Sequence, residues 1–309
     1  MLTHRSSGKL NRKPASGTAW RRLTPMAWLL GIWLALVAPA WGASPGAGLD
    51  PLLAPLKAYL VSQGLGSAQA QAMLAHHEVR FEDKLLARLL ARPERPLDYH
   101  QFLRPETVAR ARHFARQQVR LLEAAQRRGG VAPEVVVAIL TIESGLGTYT
   151  GRWCTVGVLA SQAVLDSQPA RRRLAQVWPK KQRAYLNTPQ CDERFRKRAA
   201  WARGELWGLI QLAKERGVSP LSFKGSPAGA LGMPQFMPTS LQRWGVDGDG
   251  DGRVDLNQSA DAIHSVAAYL AAHGWRPGMS RQEQYEVVHT YNHSQPYVNT
   301  VLDLAARIR

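Results

Sequence analysis

The chain has 309 residues, enough for about two domains of ordinary size. Hydrophobic residues make up 45% and charged residues 20%, a globular balance that excludes wholesale disorder and fibrous classes. Forty Lys and Arg against 23 Asp and Glu give a formal net charge of +17. This charge points to an anionic partner: nucleic acid, a membrane surface or an acidic polymer.

Residues 1–43 have the organisation of a secretory signal peptide. They contain six basic residues and no acid, an apolar run from Met26 to Val37, and small residues over 38–43. The apolar run is short for a membrane span, although an uncleaved N-terminal anchor is the alternative. We expect a periplasmic protein, membrane-anchored if the signal is uncleaved, with no cysteine placed for lipid attachment. Without this segment the charge is still +11, from 34 basic and 23 acidic residues.

The chain has two cysteines, Cys154 and Cys191, both beyond the export segment. An exported protein with an even number of cysteines can bridge them. The sequence leaves this disulfide open, because it does not reveal whether the two Cα atoms come within bonding reach. Two cysteines alone make a poor metal site.

Periodic apolar segments follow a Ser/Pro/Gly linker and predict helices. Each repeats every three to four residues, and they lie at 51–62, 68–75, 82–91 and 105–127. The last begins at Pro105 and ends before Gly129 and Gly130, which are typical start and stop signals. We predict that residues 44–130 form a helical lobe.

The segment from Pro133 to Glu143 is the most apolar of the mature chain. Its Val and Ile residues would also suit a buried strand, but its length and the proline followed by Glu134 favour a buried helix. Such a helix carries Glu143 at its C-terminal end. The remainder of the chain predicts a basic surface insertion over 168–196, helical spacing over 199–216, and helices over 259–273 and 281–291.

Glu143 is a candidate general acid. Burial at the end of an apolar helix disfavours the charged form of a carboxyl group, so its pKa should rise toward neutrality. A proton retained near neutral pH is what glycosidic cleavage requires. The alternative is a surface glutamate or one paired with an arginine.

A glycine-rich segment over 225–240 is a candidate ligand loop. Its glycines allow tight turns and close ligand approach, and Gln235 can donate and accept hydrogen bonds, which suits a sugar. No Gly-Lys-Ser/Thr sequence ends the segment, so it is not a phosphate loop. A plain Gly/Pro loop packed into the core is the alternative.

An acidic loop places carboxylates at positions 1, 3, 5 and 9 and glycine at position 6, as in Ca²⁺ loops of the EF-hand type: Asp247, Asp249, Asp251, Asp255 and Gly252. Position 12 is Gln258, which cannot supply the usual bidentate carboxylate, and Asp261 can replace it. A solvated acidic turn is the alternative, but clustered carboxylates repel one another without a cation.

Together these residues resemble the lytic murein transglycosylase B family of bacterial peptidoglycan-cleaving enzymes. The resemblance is carried, in the family's order, by 131–151, 198–217, 223–240, 247–275 and 290–298. It covers most of residues 131–309 and, more weakly, the helical lobe through Tyr99 and Pro105. It implies a mainly α fold, with a lysozyme-like α+β core over 131–309, a helical N-terminal lobe and an EF-hand-like calcium loop over 247–261.

The resemblance also implies a mechanism. Glu143 protonates the glycosidic oxygen between N-acetylmuramic acid and N-acetylglucosamine, while the substrate's N-acetyl carbonyl stabilises the cationic centre. The ionised Glu143 then takes the C6 hydroxyl proton, and a 1,6-anhydro ring closes without water. This explains why no second carboxylate is obvious, as a two-carboxylate glycosidase would need.

Further roles follow from the resemblance, residue by residue. Ser226 and Gln235 line the cleft near the acid, and an aromatic set closes it. The implied substrate-binding residues are Ser226, Gln235, Tyr291, Asn292, Tyr297, Tyr99, Arg198 and Lys197, of which the basic pair meets acidic peptide stems. The implied Ca²⁺ ligands are Asp247, Asp249, Asp251, the Arg253 carbonyl and Asp261, for a structural ion and no organic cofactor. Pro227 departs from the family, which usually has an aromatic there.

Two other functions stay open at this point. A lysozyme-type hydrolase needs the same acid but completes the reaction with water. A non-catalytic, calcium-dependent wall-binding protein would need neither the acid nor the water. A nucleic-acid binder is disfavoured by the signal peptide and by the absence of a recognisable motif. We therefore expect a monomer whose partners are peptidoglycan glycan strands and, as candidates, other cell-wall enzymes.

Overall fold

The computed structural model describes residues 48–91 and 98–309. The predicted signal peptide or anchor over 1–43 lies outside this range. No helix among the described residues is long and apolar enough to cross a membrane.

The first half of the described chain is helical, as the apolar periodicity predicts. Its helices are α1 Ala54–Ser62, α2 Ser67–Leu74, α3 Asp83–Leu90, a 3₁₀ helix Tyr99–Leu103, α4 Pro105–Gln117 and α5 Val119–Gly129. The sequence predicts one helix over 105–127, but the structure has two, because the backbone of Gln118 leaves the helical region (φ −103°, ψ 17°).

The second half has eight further helices and a two-residue strand pair. They are α6 Pro133–Ser144, β1 Trp153–Cys154, α7 Thr155–Ala163, α8 Gln168–Val177, α9 Pro189–Glu215, β2 Lys224–Gly225, α10 Pro238–Trp244, α11 Ser259–Ala272, α12 Arg281–Tyr291 and α13 Gln295–Ile308. Short 3₁₀ helices lie at Lys180–Asn187 and Pro220–Ser222. Strands β1 and β2 pair antiparallel, with Trp153 opposite Gly225 and Cys154 opposite Lys224.

Helix α6 lies at the centre of the core. Residues 135–141 are all buried, so this helix is apolar around its circumference, as expected for a helix covered on every side. Helices α4, α5, α11 and α13 pack on it, and α7 packs along α9. The buried helix predicted to end at Glu143 is therefore confirmed.

Residues 168–196 are more ordered than a surface insertion suggests. They form α8, a 3₁₀ helix and the first turns of α9, which begins ten residues earlier than the spacing predicts. Trp178 and Phe195 are buried and meet edge to face, with ring centroids 6.2 Å apart. The segment contains a small apolar cluster among its basic side chains, and its high charge led to the prediction of a surface insertion.

The possible Cys154–Cys191 disulfide is absent: both residues are buried free thiols. Cys154 directly precedes α7, whereas Cys191 adjoins Asp192, which pairs with Arg171, and the Arg171 Nε donates to the Leu165 carbonyl just beyond the other end of α7. Nine helical residues span about 13 Å, which no disulfide bridges.

Candidate active site

A tight reversal at the end of α6 fixes the position of Glu143. Gly145 and Leu146 both have left-handed backbones, and their amides donate to the carbonyls of Thr141 and Leu140, at 3.0 Å each. The buried Ser144 hydroxyl donates to the Leu140 carbonyl and accepts the Gly147 amide at 3.0 Å. These bonds satisfy the helix terminus and hold the last turn rigid.

Glu143 has the environment of a carboxylic acid that retains its proton. Its carboxyl group is surrounded by protein, although part of the residue stays exposed. Burial raises the pKa of Glu143 to about 7, and a hydrogen bond from the Tyr297 hydroxyl to Oε1, at 2.6 Å, opposes this rise. Burial dominates because removing a carboxylate from water costs more free energy than one hydrogen bond recovers.

Two of the three implied tyrosines lie at this acid, and the third lies near one of them. Tyr297 on α13 is only 2% exposed, and Tyr291 at the end of α12 donates to the Pro234 carbonyl at 2.5 Å. Burial and the nearby Glu143 hold the pKa values of both hydroxyls well above the usual range, so both remain donors. Tyr99, on the 3₁₀ helix, lies close enough to Tyr297 to raise its pKa further.

Asn292 follows Tyr291 in an extended conformation and is half-buried. Its side chain makes no hydrogen bond within residues 48–91 and 98–309. An amide that is half-buried beside the tyrosines and has both its donors and its acceptor free can bind a polar ligand.

The glycine-rich loop is held by its own side chains. Gln235 has a left-handed backbone (φ +52°), and its Nε2 donates to the carbonyls of Gly232 at 2.8 Å and Thr150 at 3.3 Å. The Ser226 hydroxyl oxygen accepts the amides of Ala228 and Ala230. Both residues therefore shape the loop, and only the Gln235 carbonyl oxygen and the Ser226 hydroxyl proton stay available to a ligand.

The implied basic pair is divided between the interior and the surface. The Arg198 Nε donates to Gln162 Oε1 at 2.7 Å, and its guanidinium stacks on Trp201 at 4.1 Å. Burial lowers the pKa of Arg198 to about 10. Lys197 is exposed and forms an ion pair with Glu193 at 3.1 Å. Successive helical residues point about 100° apart, which separates the two cations.

Gln162 links Arg198 to the glycine-rich loop. Its Nε2 donates to the Ala228 carbonyl at 3.2 Å, while its Oε1 accepts the Arg198 guanidinium. This buried glutamine was not among the predicted site residues, because an isolated Gln within an apolar helix carries no motif.

Tyr149 is a second residue of this site that was not among the predicted ones. Its side chain is 77% exposed, and its amide donates to the carbonyl of Ser144, directly after the acid. An exposed aromatic ring at this place offers a face to a sugar. An aromatic close after the candidate acid was the signal available in the sequence.

The acidic loop brings together part of the predicted Ca²⁺ site. Carboxylate oxygens of Asp247, Asp249 and Asp261 lie within 4.8 Å of one another. Asp261 is 2% exposed on α11 and accepts the Gly248 amide at 2.8 Å. Converging hard oxygens fit Ca²⁺.

Two other predicted calcium ligands lie outside this group. Asp251 is exposed, and its carboxylate accepts the Arg253 amide at 2.8 Å. Arg253 is exposed as well. Its carbonyl oxygen remains a predicted ligand.

Comparison with known proteins identifies the class that this fold and site define. Residues 48–284 match the family described as the transglycosylase SLT domain, so the chain belongs to this family. The mainly α fold and the family resemblance expected from the sequence are thereby confirmed.

Particular relatives agree with this assignment. The membrane-bound lytic murein transglycosylase B of Escherichia coli (strain K12) is 33% identical over 178 residues, which are 58% of this chain and 41% of that relative. The Escherichia coli lytic transglycosylase Slt35 in complex with calcium is 24% identical, with a TM-score of 0.65 over 88% of this chain and 98% of that one. SltB3 from Pseudomonas aeruginosa in complex with NAG-anhNAM-pentapeptide is 19% identical, with a TM-score of 0.65 over 84% of this chain and 79% of that one.

Proposed function

We propose that the chain is a lytic transglycosylase that cleaves the β-1,4 bond between N-acetylmuramic acid and N-acetylglucosamine in peptidoglycan and leaves 1,6-anhydro ends. The observation that carries the proposal is the buried Glu143 carboxyl, with a pKa near 7 and a 2.6 Å hydrogen bond from Tyr297. Family membership and the NAG-anhNAM-pentapeptide bound by SltB3 support it.

In the first step Glu143 acts as a general acid. The protonated carboxyl donates to the glycosidic oxygen as the bond to the anomeric carbon breaks, and the substrate's N-acetyl carbonyl stabilises the cationic carbon. The Tyr297 hydroxyl, already bonded to Oε1, stabilises the negative charge that then develops on Glu143. Charge stabilisation by a fixed donor of this kind needs no rearrangement during the reaction.

In the second step the ionised Glu143 acts as a base. It takes the proton from the C6 hydroxyl, whose oxygen attacks the anomeric carbon and closes the anhydro ring. Of the described residues, only Tyr297 contributes a specific interaction to the pKa of Glu143, and no second carboxylate does. One carboxylate that serves twice fits this arrangement better than the carboxylate pair of a retaining or inverting hydrolase.

Around the acid, the surrounding residues position the glycan. Asn292, the Gln235 oxygen and the Ser226 hydroxyl bind sugar polar groups, and Tyr99 and Tyr291 line the cleft. Tyr149 supplies a stacking face that Pro227 cannot. Arg198 and Lys197 meet acidic peptide stems, with Lys197 the more accessible of the two.

The acidic loop binds a structural Ca²⁺ in this proposal. Asp247, Asp249 and Asp261 would supply carboxylate ligands, and Asp251 and the Arg253 carbonyl would complete the set. The Slt35 complex with calcium supports this choice of metal. An ion here would neutralise clustered charge beside α11 and take no part in the chemistry.

We further propose that the protein works as a monomer in the periplasm on glycan strands, with residues 1–43 as its signal peptide or anchor. Its lobe over 44–130 and its core over 131–309 would form the two walls of the cleft. The described residues contain no helix that could span a membrane.

The test is the mass of the products released from purified peptidoglycan. Lytic cleavage gives muropeptides one water lighter than those of a hydrolase. Glu143→Gln should lower release on the order of 10²–10⁴-fold while keeping peptidoglycan binding, because it removes the proton with little change of shape. Hydrated products would identify a lysozyme-type hydrolase. Binding without release by the wild type would identify a wall-binding protein.

A further inference from the structure

A turn between α2 and α3 brings two imidazoles and a carboxylate together, away from the acidic loop. His76, His77 and Glu78 each offer one ligand atom, and these atoms all lie within 4.8 Å of one another. The His76 and His77 ring centroids are 4.2 Å apart, and His76 Nδ1 lies 4.0 Å from Glu78 Oε2. Three consecutive residues thus present their donor atoms to one point.

The backbone of this turn is fixed from both sides by helix α7. The Ser161 hydroxyl donates to the Arg80 carbonyl and accepts the Glu82 amide, each at 3.0 Å. Gly157 packs so closely that a Cβ there would lie 2.8 Å from the Glu78 carbonyl oxygen. A turn anchored in this way fixes the backbone that carries the three side chains, which reduces the entropy lost on binding an ion.

Lys224 holds the carboxylate in a useful orientation. Its Nζ lies 2.5 Å from Glu78 Oε1, which leaves Oε2 on the side of His76. Carboxylate ligands are commonly held by an outer hydrogen bond of this kind. The Glu78 amide donates to His76 Nδ1 at 3.3 Å, a bond that a metal on this nitrogen would replace. Tetrahedral coordination at about 2.0 Å separates neighbouring ligand atoms by about 3.3 Å, so the 4.0 Å gap between His76 Nδ1 and Glu78 Oε2 closes with a small side-chain movement.

We propose that His76, His77 and Glu78 bind a divalent transition metal, best Zn²⁺, with the fourth position open to water. Two imidazoles and one carboxylate form a borderline donor set that suits zinc, copper or nickel, whereas Ca²⁺ and Mg²⁺ require oxygen ligands. This site differs in donor chemistry from the acidic loop and does not depend on the proposed catalysis. The bound metal would fix the α2–α3 turn beside β2.

The experiment is a titration of the purified protein with Zn²⁺ in competition with a chromophoric chelator. We expect one zinc per chain at this site, unaffected by millimolar Ca²⁺. His77→Ala and Glu78→Gln should each weaken binding at least tenfold. Two controls should bind as the wild type does: His113→Ala, an exposed histidine on α4, and Asp247→Ala in the acidic loop.

His77 is exposed, so its replacement leaves the fold intact, and a thermal melt without zinc checks this. The same melt with zinc should rise for the wild type and stay unchanged for His77→Ala, because only a metal that binds the folded state stabilises it. The proposal is overturned if the wild type binds no zinc in stoichiometric amount. It is equally overturned if His77→Ala binds as tightly as the wild type.

Discussion

At the scale of single residues, Glu143 and Tyr297 determine the pH range of the proposed reaction. Glu143 must be protonated to donate, and its pKa of about 7 places the loss of that proton near neutral pH. Activity should therefore be full on the acidic side and fall as the pH rises through 7. The Tyr297 hydrogen bond sets where this fall begins, because it favours the ionised carboxylate.

Tyr297→Phe should move the alkaline limb of the pH profile of kcat/KM to higher pH. The change removes the one specific interaction that lowers the pKa of Glu143, so the carboxyl keeps its proton longer. The measurement is muropeptide release between pH 5 and 9, a range of about two units on either side of 7. Tyr291→Phe is the matched control, because that hydroxyl bonds Pro234 and not the acid. A limb that stays in place, or moves to lower pH, would contradict this role.

Tyr149→Ala should raise KM for glycan strands and leave kcat nearly unchanged. The ring is exposed, and among the described residues only Tyr297 bears on the pKa of Glu143, so loss of the Tyr149 ring removes stacking that is equal in the ground and transition states. An exposed aromatic contact is worth about 1 kcal/mol, or roughly fivefold in KM. Tyr149→Phe keeps the ring and should behave as the wild type. A fall in kcat alone would place Tyr149 in the chemistry.

At the scale of elements, the glycine-rich loop depends on a close approach between Gly232 and Leu256 of the acidic loop. Gly232 has φ +64°, and a Cβ there would lie 2.4 Å from the Leu256 Cβ and 2.6 Å from its carbonyl oxygen. Neither space nor backbone geometry allows a larger residue.

Gly232→Ala should therefore destabilise the protein by about 1–3 kcal/mol and displace Gln235. Gly204→Ala is the matched substitution: Gly204 lies within α9 with nothing within 4 Å of the added methyl. It should stabilise the protein by about 0.5–1 kcal/mol, since alanine favours helix. Urea denaturation measures both. Equal effects of the two substitutions would mean that the chain at Leu256 moves away from the added methyl group at little cost in free energy.

Calcium should stabilise the acidic loop and α11. Since Gln258 replaces the usual bidentate glutamate, we expect a dissociation constant of about 10⁻⁴–10⁻³ M. At a hundredfold excess the ion adds about 2.7 kcal/mol of stability, which a thermal melt with and without chelator detects.

Asp247→Ala should lose this response, and Asp303→Ala on α13 should keep it, because Asp303 forms an ion pair with Arg281 away from the loop. A wild-type melt that ignores the chelator would refute the calcium assignment.

At the scale of the whole molecule, the buried acid carries a cost in stability that varies with pH. The folded pKa of Glu143 is about 7, above the ordinary 4.5. The folded state therefore holds the proton more tightly than the unfolded chain, and the free energy of unfolding falls as pH rises from 4.5 to 7. Below 4.5 both states are protonated and the contribution is constant.

Glu143→Gln lacks this titration, so its stability relative to the wild type should grow across the same interval. The gain is at most about 3 kcal/mol, from the pKa difference. Urea denaturation of both proteins at pH 4 and pH 8 measures it. A stability difference that is the same at both pH values would mean that the carboxyl is less buried than the structure has it.

Sequence reasoning succeeded where the determinants are local. The apolar run that ends at Glu143 predicts both a buried helix and a desolvated acid, because burial of its apolar side chains also removes the Glu143 carboxyl from water. It failed where partners are distant in the chain: Gln162 joins Arg198 to Ala228, and the two cysteines lie toward opposite ends of α7. The histidine turn was missed because His-His-Glu has no recognised spacing until Lys224 and α7 surround it.

The left-handed backbone of Gln235 has a consequence for protein engineering. A non-glycine residue in this conformation costs on the order of 1 kcal/mol, which a glycine would recover. Gln235→Gly would relieve that strain but lose the two hydrogen bonds that the side-chain amide makes to Gly232 and Thr150, each worth about 0.5–1.5 kcal/mol, and would add entropy to the unfolded chain. Selection for heat resistance should therefore retain Gln235 at this position in spite of its strained backbone, as selection for turnover would.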